Sequence, residues 1–245
     1  MAHLYTRFKK SAFVKGIVYF IVGIFTYPGL AMVNRLKVEG MDILQKLPRK
    51  NVLFVSNHQT YFAEVISLIH IFCAASWGRK KGLGWPLYLC WPFTRIYYVA
   101  AKETMQSSWL TKLFTLAGAV TVKRTWVPSG KEVQKGLETR DTRNITTVLK
   151  NNWVITFPQG TTTPFAPGRR GTAFIIKHFK PIVVPVVVSG FSTAFDKKGL
   201  KFRKKGTRLS IRFKEPLQID YEDSAEEILT QIMDSIEQSK SYMPQ

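Results

Sequence analysis

The sequence predicts an α/β fold: a mixed sheet flanked by helices, preceded by an N-terminal apolar helical motif. Three observations carry this. Short apolar, β-rich runs recur along the chain, stretches of helical periodicity lie between them, and an uncharged apolar run stands near the start. The chain has 245 residues, enough for one large α/β domain with an anchor. Apolar residues make up 45% of it, so a substantial core can form and global disorder is excluded.

The apolar run covers residues 16–33 (GIVYFIVGIFTYPGLAMV) and is near the short limit for a spanning helix. Pro28 and Gly29 interrupt it. Arg7, Lys9, Lys10 and Lys15 precede it, and Arg35 and Lys37 follow. Cytoplasmic flanks are normally the basic ones, so basic residues on both sides place both ends in the cytoplasm. The expectation is a re-entrant or interfacial helix pair, bent near Pro28, on the cytoplasmic face of a membrane. A cleaved signal peptide competes, although Ala31-Met32-Val33 is a poor cleavage site. A buried core helix is the plain alternative.

The strands follow from continuous apolar runs, which imply burial on both faces. They are expected at 52–56 (VLFVS), 96–100 (IYYVA), 120–122, 153–157 (WVITF), 182–188 and 209–213. Ser129 with Glu132 forms a capping-box pattern opening a helix towards Leu149, and Ser224 with Glu227 opens another. In the latter, Ile228, Ile232 and Ile236, with Leu229 and Met233, make one apolar stripe for the core. Cys73 and Cys90 lack metal-type spacing, and both read as reduced core residues.

The formal charge is +20. Such an excess favours polyanionic partners: nucleic acid, an anionic lipid surface, or a phosphate-rich donor. No zinc spacing, aromatic-basic RNA signature or basic heptad supports nucleic acid, and that reading leaves the apolar N-terminus unexplained. Between residues 72 and 98, aromatics including Trp85, Trp91 and Phe93 stand beside Arg79, Lys80, Lys81 and Arg95. This suits a membrane interface or an acyl-chain groove, with core packing as the alternative. From Lys197 to Lys214 every charge is positive, a stretch suited to anionic headgroups or donor phosphates.

Chemistry concentrates after two buried strands. Asn57-His58-Gln59-Thr60 directly follows VLFVS, and open α/β sheets place ligands at such strand ends. An imidazole there suits proton transfer near neutral pH. Glu64, six residues on, could hydrogen-bond one ring nitrogen, fix the tautomer and stabilise the imidazolium. No serine nucleophile is needed if an acceptor hydroxyl takes its place. The second constellation is Phe157-Pro158-Gln159-Gly160-Thr161, in which Gly160 permits close backbone approach. Downstream, Arg169 and Arg170 could bind an anion bidentately.

Asn57-His58, residues 118–124 (GAVTVKR), residues 157–161 (FPQGT) and residues 184–187 (VPVV) occur in the order and rough spacing of four sequence blocks. Together they resemble the lysophosphatidic acid acyltransferases, or PlsC-like acyltransferases; Val38-Glu39-Gly40-Met41 resembles that family's lead-in. The resemblance covers roughly residues 36–215. It implies an O-acyltransferase of membrane lipid synthesis that moves a fatty acyl group from acyl-CoA or acyl-carrier protein to a lysolipid-type hydroxyl. No cofactor or metal is implied beyond the thioester co-substrate, and no nucleic acid. The implied division is an anchoring motif over residues 1–35 and a catalytic domain over residues 36–245. The matching positions imply His58 as base, Arg124 on the acceptor anion, and Gly160 with its neighbours Phe157, Pro158, Gln159 and Thr161 in the acceptor site. The residues themselves add Glu64 as the partner of His58, and Asn57, Arg169 and Arg170 around the substrate.

Two departures are visible. The family's first block is His, four residues, then Asp; here Ala63 holds that position and the acid comes one later, as Glu64. The third block usually reads Phe-Pro-Glu-Gly-Thr-Arg; here Gln159 replaces the Glu and Thr162 the Arg. Losing that Arg removes a phosphate contact. Either Arg169 or Arg170 substitutes for it, or the acceptor is not a phosphate ester. A thioesterase, an inactive lipid-binding relative and a conventional phosphatidic-acid-forming enzyme remain as alternatives.

Overall fold

Alternation along the apolar runs decides the layering. In Val52–Ser56, Val52 and Phe54 face one core while Leu53 and Val55 face another. Trp153 and Ile155 repeat the first pattern, and Val154 the second. Side chains alternate across a strand, so a run that is apolar throughout must be covered on both faces. The strands are β1 (Lys37–Glu39), β2 (Val52–Ser56), β3 (Ile96–Ala101), β4 (Ala119–Val122), β5 (Trp153–Thr156), β6 (Ile182–Ser189) and β7 (Ser210–Phe213). The structure is a computed structural model and describes residues 2–101, 109–122 and 139–243. Among these, one sheet runs in the order β1-β7-β6-β2-β5-β3-β4. Every neighbouring pair is parallel except β6 with β7. The sheet is therefore mixed, as expected.

The helices are α1 (Ala2–Tyr27), α2 (Ile43–Lys46), α3 (Ala63–Ser76), α4 (Trp109–Leu116), α5 (Thr139–Leu149), α6 (Arg170–Phe179), α7 (Phe191–Ala194) and α8 (Ala225–Ser235). Residues of α1, α3 and α4 contribute to the first core, and residues of α5, α6 and α8 to the second. The Ser224 cap is present in full. Its hydroxyl accepts from the Glu227 N–H, and the Glu227 carboxylate accepts from the Ser224 N–H. The cap expected at Ser129 and Glu132 lies outside the described residues.

The N-terminal motif differs from expectation in two ways. It is one continuous helical run, not two separate helices: α1 passes at Tyr27 into a π-helical turn, Pro28–Val33. Proline lacks an N–H and clashes with the carbonyl four residues back. The wider turn accommodates this, with the Asn34 N–H donating to Gly29 O five residues away. Second, Lys15 is not an exposed flank. It is buried, donates to Ile96 O at 2.6 Å and lies over the Tyr97 ring. One turn on, the Tyr19 hydroxyl donates to Ala117 O at 3.0 Å. The stretch Ala12–Val33 is long and apolar enough to cross a membrane, and most of it is not buried in the protein.

The aromatic stretch divides. Phe72 and Phe93 pack with Phe54 and Trp153 in the core, whereas Trp85, Leu87 and Trp91 are exposed. Cys73 is buried, but Cys90, expected in the core, is exposed at the end of a 3₁₀ turn, Pro86–Leu89. The turn's buried side chains are Tyr88 and Leu89, which turns the next residue outward.

Candidate active site

β2, β5 and β6 are mutually parallel neighbours, so their C-terminal ends open on the same edge of the sheet. His58 follows β2 and Phe157 follows β5. Their rings stack, with centroids 4.0 Å apart and planes inclined by 21°. Two sequence blocks nearly a hundred residues apart thus meet because they terminate adjacent strands.

Glu64 is the second residue of α3 and fully buried. One carboxylate oxygen accepts the N–H groups of Gln59 and Thr60, each at 2.5 Å, and the other accepts the Thr60 hydroxyl at 2.5 Å. The Thr60 hydroxyl in turn accepts the Ala63 N–H at 3.3 Å. The N-terminal end of a helix also favours negative charge. Glu64 thus reaches back over the tight turn at Gln59 and Thr60, from one residue beyond the position where the acid is expected. Glu64 Oε1 lies 3.9 Å from His58 Nδ1. That is too long for a hydrogen bond, and about 1 Å of ring movement would close it.

The His58 side chain is only 13% exposed, and its Nδ1 is buried without a hydrogen-bond partner among the described residues. Burial lowers its pKa to about 3, so the imidazole is neutral near neutral pH. Burial pushes the Glu64 carboxyl up to about 7, against the opposing hydrogen bonds from Thr60 and Gln59. A neutral imidazole beside a buried carboxyl is an acid–base pair able to accept a proton and hold the resulting charge.

The remaining expected residues fall into two groups. Gly160 adopts φ +61°, and Arg169 lies against it: a Cβ there would come within 2.9 Å of the guanidinium. The Arg169 N–H donates to Pro158 O, closing the loop. Phe157, Pro158, Gly160 and Arg169 therefore form one turn beside His58. The Asn57 side chain is engaged by the sheet. Its amide donates to Val188 O at 2.9 Å and accepts from Val188 N at 2.7 Å, extending the β2–β6 pairing. Gln159 also turns inward, donating to Ala166 O and to Gln238 Oε1. In both, a short amide side chain finds backbone or amide partners that its buried position requires. Thr161 shares a hydrogen bond with Thr163. Arg170 points elsewhere and pairs with Glu226 of α8, which separates it from Arg169. Arg124 lies outside the described residues.

Sequence reasoning missed Gln59 and Thr60. Gln59 Oε1 accepts the Phe191 N–H at 2.9 Å, tying the His58 loop to α7. Thr60 carried a weaker signal, a hydroxyl just upstream of the helix that can bond a nearby backbone N–H, here that of Ala63. Among the described residues, no group of three or more His, Cys, Asp or Glu side chains is placed to hold a metal ion.

The chain is thus an α/β protein with a buried His58–Glu64 pair at the open edge of its sheet. More specifically, the chain belongs to the Acyltransferase family, whose model matches residues 35–189, more than half of the sequence and all four blocks. It is an acyltransferase, as the blocks implied. Among curated proteins no relative matches. Among solved structures, it is similar to the crystal structure of the 1-acyl-sn-glycerophosphate (LPA) acyltransferase PlsC from Thermotoga maritima. Identity is 17% and the TM-score 0.46, over 82% of this chain and 68% of that one.

Proposed function

We propose that this acyltransferase moves a fatty acyl group from acyl-CoA or acyl-carrier protein to the hydroxyl of a lysolipid-type acceptor, at the cytoplasmic face of a membrane. The observation that carries the reading is the buried His58–Glu64 pair on the strand edge, 3.9 Å apart. His58 Nδ1 faces the carboxylate, which leaves Nε2 for the acceptor. Nε2 takes the hydroxyl proton as the acceptor oxygen attacks the thioester carbonyl. The tetrahedral intermediate collapses, an ester forms, and the C–S bond breaks. The thiolate leaves and receives the proton from His58. Glu64 stabilises the imidazolium in between. No covalent acyl-enzyme is required.

The N-terminal motif, residues 1–35, seats the catalytic domain, residues 36–245, on the lipid surface. Phe13, Ile21 and Phe25 of α1, Met32 of the π turn, and Trp85 and Trp91 supply an exposed apolar surface. Monomeric soluble proteins rarely leave so many large apolar side chains in water. The acceptor carries one negative charge, as in a hydroxyacyl amino-acid lipid. A phosphate monoester wants several fixed guanidinium partners. Here the third block offers the neutral Gln159 and Thr162, and Arg170 is paired with Glu226. The second reading, phosphatidic acid formation from lysophosphatidic acid, rests on the order of the four blocks.

The test is thiol release by purified protein with an acyl thioester and either a hydroxyacyl amino acid or lysophosphatidic acid, with His58→Ala as the control. Turnover with the amino-acid lipid, and loss of ~10²–10⁴-fold in His58→Ala, is the expected outcome. Efficient acylation of lysophosphatidic acid alone overturns the acceptor assignment. Near-normal transfer by folded His58→Ala overturns the mechanism.

A further inference from the structure

The loop between α7 and β7 concentrates unneutralised charge. Of the thirteen residues 196–208, seven are Lys or Arg, and all seven are exposed. Asp196 is the single acid, and its carboxylate is used within the loop, accepting the N–H groups of Leu200 and Lys201. None of the seven cations has an ion-pair partner among the described residues. Seven like charges this close repel one another, and an anionic surface relieves the repulsion.

Two observations say what kind of surface. Leu200 and Phe202, at 40% and 42% exposure, stand among the cations. Phe202 also packs on Gly29 of the N-terminal π turn, so closely that a Cβ on Gly29 would meet the ring at 2.9 Å. The loop is thus continuous with the apolar surface of Phe25 and Met32. Cations interspersed with exposed apolar side chains, beside an apolar helix, match a bilayer interface, where stems and rings sink and charges meet headgroups. A soluble phosphate donor or an acidic protein needs the charge but not the apolar contact with the helix.

The same loop is built onto the catalytic turn. The Tyr61 N–H donates to Lys197 O at 3.0 Å and the Phe62 N–H to Lys198 O at 3.1 Å. Gly199, at φ +76°, is pressed against Thr60, and a Cβ there would lie 2.5 Å from the Thr60 hydroxyl that holds Glu64. Lys197 also reaches over the Tyr61 ring.

We propose that the loop 196–208 is a binding site for anionic lipid headgroups, which fixes the catalytic turn at the height of the membrane surface. The proposal rests on the membrane seat described above. Each cation near an anionic surface strengthens attachment by about fivefold, so three together contribute about a hundredfold. The experiment is sedimentation of the purified full chain with vesicles. One set is phosphatidylcholine alone and the other phosphatidylcholine mixed with phosphatidylglycerol. Wild type is compared with Arg203→Ala/Lys204→Ala/Lys205→Ala. The expected result is tighter binding of wild type to the mixed vesicles, and loss of about a hundredfold there in the triple variant, with binding to phosphatidylcholine kept. Wild type that binds both vesicle types equally overturns the proposal and leaves the seat standing. Wild type that binds neither overturns both. A triple variant that keeps its vesicle binding but needs more acyl thioester for half-maximal rate in detergent assigns the loop to the donor, and also overturns the proposal.

Discussion

Replacing Glu64 by Gln tests the charge of the site without disturbing its shape. The carboxamide keeps an oxygen for the Gln59 and Thr60 N–H groups, and the Thr60 hydroxyl can turn to accept from its nitrogen. What disappears is a negative charge 3.9 Å from His58 Nδ1. With an effective dielectric constant of about 20, unit charges at that distance interact by about 4 kcal/mol. Every 1.36 kcal/mol or so is tenfold in rate, so kcat falls about a thousandfold. Wild type should also show a pH limb. Burial holds the Glu64 carboxyl at about 7, so the stabilising charge is absent below that pH and present above it. kcat therefore rises as pH passes through about 7. The limb cannot belong to His58, whose pKa burial lowers to about 3. In Glu64→Gln the limb should vanish. The assay is thiol release from an acyl thioester in mixed micelles across this pH range, with circular dichroism confirming the fold. A variant that keeps most of its kcat, or that keeps the limb, refutes the assignment of Glu64 as the imidazolium's partner.

Two further outcomes follow from burial. Charging the apolar surface by Phe25→Glu together with Trp91→Glu, both 81% exposed in wild type, should leave the thermal midpoint near its original value and move the protein to the soluble fraction; continued sedimentation with membranes would count against the seat. Burial lowers the pKa of His70 to about 4, below its unfolded 6.5, so the unfolded chain binds the extra proton. That contribution is fully present above about pH 6.5 and is lost as pH falls towards 4, by roughly 3 kcal/mol in full. Urea midpoints at pH 7 and 5 should differ less in His70→Gln than in wild type.

Much of this could be read from the chain because local pattern and tertiary need agreed. The six expected strands form, since runs apolar on both faces have no stable alternative to a covered sheet. His58 and Phe157 meet because each ends a neighbouring parallel strand, a consequence of position along the chain alone. β1 was passed over because three residues, Lys37–Glu39, carry too little periodicity; its pairing with β7 supplies what they lack. Asn57 and Gln159 have internal partners that the chain does not signal, for another reason. Their partners, Val188 and Gln238, lie 131 and 79 residues away, so no nearby pattern distinguishes a buried tie from a substrate contact. Cys90 and Lys15 exchange the environments that residue type suggests, each decided by one contact surface of a single turn of helix.

Lys15 and Tyr19 set the rotation of α1 about its own axis. They lie four residues apart on one side of the helix, and both reach backbone carbonyls of the sheet layer, at Ile96 and Ala117. A purely greasy contact would let the helix roll; two polar bonds fix its azimuth. Phe13, Ile17, Ile21 and Ile24 are thereby held on the outward side. The orientation of the exposed apolar surface is thus specified by polar atoms hidden behind it, not by the apolar residues that form it. An insertion of one residue between Tyr19 and Phe25 would keep the composition and length almost unaltered. It would nonetheless turn everything beyond it by about 100°, carrying Phe25 out of line with the side chains before it. In this helix hydropathy states how much apolar surface lies exposed, and a buried amine and phenol state which way it points.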